Sequence, residues 1–192
     1  MGNPGRNYEK TRHNVGFEVI RRLAQRHAAG AGQGGGAASK RKFDGELQEA
    51  LIGGERTLLL MPQTFMNLSG QSVRQAVDFY KIAQDEFLVI CDDFQLPLGK
   101  IRLRAGGSDG GQKGLADTIR QLGSNAFSRL RFGIGPVPEG WEAADFVLGK
   151  FGKAEQKLLE NELVRATIAV ETWVERGIAV AMNIHNADPL RD

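Results

Sequence analysis

Phe87-Leu88-Val89-Ile90-Cys91-Asp92-Asp93 is five apolar residues running into two carboxylates. An apolar run this short, with no polar alternation, reads as a strand buried on both faces, which requires a sheet covered by helices on either side. The acidic pair falls at the carboxyl end of that strand, the place where open α/β sheets keep their sites.

The pattern on either side agrees. Residues 43–51 and 56–61 read as two strands joined at Gly53-Gly54, a hairpin signal. Thr64-Phe65-Met66-Asn67-Leu68-Ser69-Gly70 is a loop, and Ser69 is expected to cap a helix to Tyr80 with Val73, Ala76 and Val77 on one face. Nearer the start, Asn14 is expected to cap a helix to His27 that carries Val15, Val19, Leu23 and Ala24 at a period near 3.6. After Asp93 the sequence predicts a half-exposed strand at 101–104, a glycine-rich loop at 106–111 and a helix at 113–122. A strand at 129–135, a loop at 136–142 and a long helix at 153–176 follow. Alternating strands and helices place the chain in the α/β class, with a mixed, twisted sheet flanked by helices on both faces. Residues 1–192 read as a single domain, in which 28–42 is a flexible, glycine-rich, basic loop.

Composition narrows the function classes. A chain of 192 residues buries roughly 70% of its unfolded surface, enough for a core without disulfides. Its one cysteine, Cys91, and three histidines offer little for a structural zinc. No apolar run approaches the roughly 18 residues that span a bilayer. No basic-then-apolar leader opens the chain, so a cytoplasmic protein without membrane attachment is expected. The net charge of +2 hides four blocks: +7 over residues 1–42, −6 over 43–97, +5 over 98–131 and −4 over 139–192. Such alternation suits one positive face that attracts phosphate backbones.

The histidines are not equal. His27, late in an amphipathic helix, and His185, between Ile184 and Asn186, read as surface or packing residues. His13 lies in a polar loop, Thr11-Arg12-His13-Asn14, where a neutral imidazole can act as a base near pH 7. Asp92 could orient it, as an aspartate orients histidine in hydrolase triads. Asn3 and Asn67 have amides that both donate and accept, suited to a peptide carbonyl or a water, or equally to turn chemistry. No Gly-x-Ser-x-Gly elbow signals a serine nucleophile, and residues 106–114 lack the Gly-Lys-Ser/Thr ending of a P-loop.

Five ordered blocks carry a resemblance. Gly2-Asn3-Pro4-Gly5 with Tyr8 and Thr11-Arg12-His13-Asn14-Val15-Gly16-Phe17 is similar to the signature of bacterial-type peptidyl-tRNA hydrolases, as is the Thr64–Gly70 block. So are Asp92-Asp93 with Leu96-Pro97 and Gly99, the glycines from 106 to 114, and Arg129-Leu130-Arg131 with Phe146-Val147-Leu148-Gly149. The resemblance implies a monomeric α/β esterase, free of metal and cofactor, that cleaves the ester between a peptide's C-terminus and the 3′-terminal ribose of tRNA. It implies that His13 is the general base and that Asp92 orients it. It places Asn3, Tyr8, Phe65, Asn67 and Lys113 at the substrate, and Arg102, Arg104 and Arg131 at tRNA phosphates. A relative that binds RNA without cleaving it is the alternative.

Three departures stand out. Gln112-Lys113-Gly114 occupies the position where the family usually shows His-Asn-Gly, so an amide acceptor gives way to a cation at 113. The loop at 136–142 carries Glu139, Trp141 and Glu142 where relatives often carry lysine. Relatives also begin with a short apolar strand ahead of Gly-Asn-Pro-Gly. Without it, the first central strand is expected to be missing, its apolar neighbours exposed and two ladders left without partners.

Overall fold

The computed structural model of the protein describes residues 1–27 and 39–187. Strand β4 (Leu88–Asp93) is buried almost throughout, as its apolar run requires. It pairs in parallel with β6 (Ser128–Gly133), and β6 pairs antiparallel with β5 (Ile101–Arg104), giving the order β4-β6-β5. A second sheet is a meander of β1 (Lys40–Lys42), β2 (Gly45–Ile52) and β3 (Glu55–Pro62), with Ile52 opposite Glu55 across the Gly53-Gly54 turn. The class and the hairpin agree with the sequence reading. The single sheet does not, since the strands of the described residues fall into two sheets of three. The expected flexible segment is also corrected at its end: Lys40–Lys42 pair with Gly45–Leu47. Their charges are compatible with an edge strand, where lysines discourage further pairing. Residues 28–38 of that segment lie outside the described residues.

Helices α1 (Val15–His27) and α5 (Lys153–His185) bury Val19, Leu23, Leu163, Ala166 and Val170 in one core with Ile90, Leu130 and Phe132. Helix α3 (Lys113–Leu122) buries Leu115 in a second core with Val89, Cys91 and Phe127. Alternate residues of β4 therefore face opposite layers, and each large side chain so buried contributes about 1.5–3 kcal/mol. Helix α2 (Ser69–Tyr80) packs against α3, and a short α4 (Ala143–Leu148), absent from the sequence reading, precedes α5.

Two expected caps are corrected. Ser69 is already helical and Leu68 stands at the cap. Asn14 ends a 3₁₀ turn (Arg12–Asn14), its amide bonded to the Asn3 backbone. The last helix runs on past 176, broken at Gly177, whose φ of 78° and ψ of 171° are not helical. Gly16 lets α1 approach β4 closely: a Cβ there would sit 2.6 Å from the Ile90 carbonyl oxygen and 2.5 Å from the Met1 nitrogen.

Among the described residues β3 and β4 are each the last strand of their sheet, and both line one cleft of about 740 Å³. Leu58 and Leu60 of β3, Leu88 and Ile90 of β4, and Val73 and Val77 of α2 are among its walls. Met1 sits at this cleft, its buried ammonium donating to the Ile90 carbonyl at 2.5 Å.

Candidate active site

His13 belongs to the 3₁₀ turn that leads into α1, and the turn is pinned on two sides. On one side the Asn14 side chain accepts from Asn3 N at 2.8 Å and donates to Asn3 O at 2.9 Å, fixing the opening Gly2–Gly5 segment against it. On the other, Arg12 N donates to Gly149 O at 2.9 Å. The Arg12 guanidinium lies 4.6 Å and 4.7 Å from the ring centroids of Phe146 and Phe151 and makes two bonds to Glu155, at 3.0 and 2.8 Å. Burial acts to raise the Glu155 pKa, but the Arg12 and Gly152 hydrogen bonds outweigh it and hold the carboxyl below its usual range.

Strand β4 delivers Asp92 to this turn. Its Oδ2 lies 2.7 Å from His13 Nδ1, and Asp92 is 3% exposed. A carboxylate accepts, so Nδ1 carries the proton; in the neutral imidazole Nε2 then holds the lone pair, and it has no protein partner among the described residues. That is the tautomer a general base needs. The second oxygen, Oδ1, accepts from Gln112 Nε2 at 3.1 Å. Behind the aspartate, burial lowers the Met1 ammonium to about 6 against the pull of Cys91 and Asp92. Burial, then the Asp92 charge, pushes the Cys91 thiol up to about 12, so it stays protonated and is no nucleophile.

The expected substrate residues lie on several elements. Asn3 Oδ1 accepts from Met66 N at 2.8 Å, which ties the Met66–Leu68 turn to the site, while Asn3 Nδ2 has no partner among the described residues. Asn67, on that turn, is exposed. Tyr8 and Phe65 meet edge-on with centroids 6.4 Å apart, and Phe65 is 54% exposed. Lys113 is exposed at the first turn of α3.

The arginines line up across strands. Arg102 is opposite Arg131 and Arg104 opposite Arg129, so all four share one face. Arg131 contacts Asp93 at 2.8 Å as an ion pair, and Asp93 is buried. Arg129, unassigned by the sequence reading, is 1% exposed and donates to the carbonyls of Gly107, Ser108, Asn125 and Phe127. It moors the glycine-rich loop, where Gly110 and Gly111 adopt φ of 60° and 85°. Burial lowers its pKa. Nothing in the sequence separates it from the arginines beside it; its place under that loop does.

Gln112 also went unassigned. Its signal was the departure from the family's usual histidine, read at the sequence level for Lys113 alone. The other two histidines are structural: His27 bonds Glu171 at 2.7 Å, tying α1 to α5, and His185 bonds Thr172 at 2.9 Å. Among the described residues no group of three or more His, Cys, Asp or Glu could hold a metal ion, and no helix is long and apolar enough to cross a membrane.

A histidine hydrogen-bonded to a buried aspartate at the end of a strand invites comparison with known proteins. The family profile of peptidyl-tRNA hydrolases matches residues 1–191. The chain belongs to the peptidyl-tRNA hydrolase family. A peptidyl-tRNA hydrolase from Rhodopirellula baltica is 49% identical over 187 residues, which cover 97% of this chain and 95% of that protein. One from Desulfitobacterium hafniense is 44% identical, covering 97% and 96%. The crystal structure of peptidyl-tRNA hydrolase from Acinetobacter baumannii superposes with a TM-score of 0.86 at 37% identity, covering 97% of this chain and 91% of that one. The family is one of ester hydrolases, and this chain is an enzyme of that class.

Proposed function

We propose that this protein hydrolyses the ester between the C-terminal carbonyl of a peptide and the 3′-terminal ribose of tRNA. The observation that carries the reading is the 2.7 Å contact between His13 Nδ1 and the buried Asp92, which leaves Nε2 as the base. In the proposed reaction, Nε2 takes a proton from water and the oxygen attacks the ester carbonyl. The tetrahedral intermediate collapses, and the imidazolium returns its proton to the departing ribose oxygen. Asp92 stabilises the imidazolium meanwhile. The Asn67 amide donates to the developing oxyanion, and the free Nδ2 of Asn3 holds a peptide carbonyl or the water. General-base catalysis supplies about 10²–10⁴-fold. A ribose hydroxyl leaves more readily than an amine, so one imidazole suffices.

Tyr8 and Phe65 flank the peptide, Lys113 faces the tRNA end, and Arg102, Arg104 and Arg131 take phosphates. The +5 block over residues 98–131 supports that assignment. The proposal includes action as a cytoplasmic monomer and one domain over 1–192, in keeping with a dyad drawn from a single chain.

The test is release of free tRNA from an N-acetyl-aminoacyl-tRNA by the purified protein. Turnover supports the reading. A folded protein that binds this substrate in a salt-dependent way and releases nothing is an RNA-binding relative instead.

A further inference from the structure

We propose that Gln112 is a positioning residue for this reaction, a neutral donor that locks Asp92 so that its other oxygen aims at His13. The inference rests on the reading of His13 and Asp92 as the reacting pair.

The argument begins with which end of the amide faces which partner. Gln112 is the N-cap of α3, and its Oε1 accepts from Leu115 N at 2.7 Å. Leu115 N–H can only donate, so the oxygen must lie on that side. The Nε2 group is thereby turned to Asp92 Oδ1, at 3.1 Å, with Met66 Sδ as a weak acceptor 3.2 Å away. A flipped amide would oppose donor to donor at Leu115 and oxygen to carboxylate at Asp92, so neighbouring chemistry fixes the assignment. One side chain thus serves two clients: it caps a helix and saturates a buried carboxylate.

Saturation has an electrostatic consequence. A hydrogen bond to a carboxylate favours its charged form and draws off part of the field it exerts on a neighbour. With the donor in place, Asp92 orients the imidazole while pulling less strongly on its second proton. Without it, the pair takes up that proton at a higher pH and less neutral His13 is present near neutrality. The other ionisable groups around the pair are the Met1 ammonium, Cys91, Asp93 with Arg131, Arg12 with Glu155, and exposed Lys113. Substitution at 112 leaves all of them in place. A histidine here, as the family usually has, would bring a titratable group against Asp92, whereas glutamine supplies a donor that is uncharged at every pH.

Capping and positioning can be separated because they need different reach. Gln112→Ser keeps an oxygen that caps the helix, and serine is a preferred cap, but its side chain is too short to meet Asp92. Gln112→Leu fills the space with neither donor nor cap. The test follows the His13 imidazole by NMR titration of the full chain, beside kcat, KM and melting temperature. For Gln112→Ser we expect melting within a few degrees of the parent, an imidazole midpoint raised by about half a pH unit or more, and kcat at pH 7 down about tenfold with KM little changed. Raising the pH recovers part of that loss. Gln112→Leu shifts the midpoint in the same direction and also melts lower. Gln112→His, which restores an N–H donor, regains part of the kcat lost in Gln112→Leu. A folded Gln112→Ser whose imidazole midpoint stays within about 0.2 units of the parent overturns the proposal. The titration needs no substrate, so an inactive parent counts against the function, and an active parent with an unmoved midpoint counts against Gln112 alone.

Discussion

At its carboxyl end, strand β4 hands Asp92 to His13 and Gln112, and each carboxylate oxygen has a partner. Two to four residues earlier, Ile90 and Leu88 of the same strand line a cleft of about 740 Å³ whose facing edges belong to two different sheets. The first region is small and polar, its carboxylate partnered on both oxygens; the second is large, mostly apolar and open. Their supports differ as well. The dyad is held by the turn before α1, the cap of α3 and the Arg12 clamp to Glu155, and none of His13, Asp92, Gln112, Asn3 or Arg12 lines the cleft. On the proposed reading, chemistry and stability are governed by different parts of the molecule, and perturbing one should leave most of the other intact.

The largest separable effect is at the dyad. Asp92→Asn keeps the shape but favours the wrong imidazole tautomer, and kcat should fall by about 10²–10⁴-fold, with melting shifted far less than a cavity in the core would cause. A loss of structure equal to the loss of rate would break the comparison.

From the other side, an apolar five-residue extension ahead of Met1, such as Leu-Ile-Val-Gly-Leu, should enter the cleft and pair with both edges. The expected gain in melting temperature is on the order of 10 °C, with kcat/KM changed far less than by Asp92→Asn. A Gly/Ser extension of equal length should give none of that gain. Equal melting temperatures for the two extensions would contradict the expected pairing of the extension with β3 and β4.

The Met1 ammonium links the regions, since it donates to Ile90 and feels Asp92. Its pKa falls from 8.0 to about 6 on folding. Between those values the unfolded chain holds the proton and the folded chain does not, so stability should rise as pH goes from 6 to 8. The full span amounts to about 3 kcal/mol. Denaturant melts across that range check the slope, and acetylating the terminus or extending the chain should flatten it. The smallest effect is expected at Lys113: Lys113→Asn should hold kcat and lower the slope of log KM against log salt by about one unit.

Much of this was legible in the sequence because it depends on local pattern. The apolar run Leu88–Cys91 could only be a covered strand, and a histidine in a polar turn with an aspartate at a strand end announced a site. The rest depends on what meets in space. Gln112 reads as an ordinary polar residue before a helix until Asp92 is seen beside it. Arg129 and Arg131 look alike in Arg129-Leu130-Arg131, yet one is sealed under the glycine-rich loop and the other paired to Asp93. Short α4 buries Phe146 against the Arg12 guanidinium, a contact no window of its own sequence contains. The division into two sheets follows from strand pairing, which periodicity does not determine.

The central claim, that His13 acts as the base of an ester hydrolase, is tested most directly by His13→Ala under single turnover on N-acetyl-aminoacyl-tRNA, with binding measured in parallel. The account predicts a loss of about 10²–10⁴-fold in the cleavage rate with substrate affinity retained. Cleavage within a few-fold of the parent, in a variant that folds and binds, would contradict it.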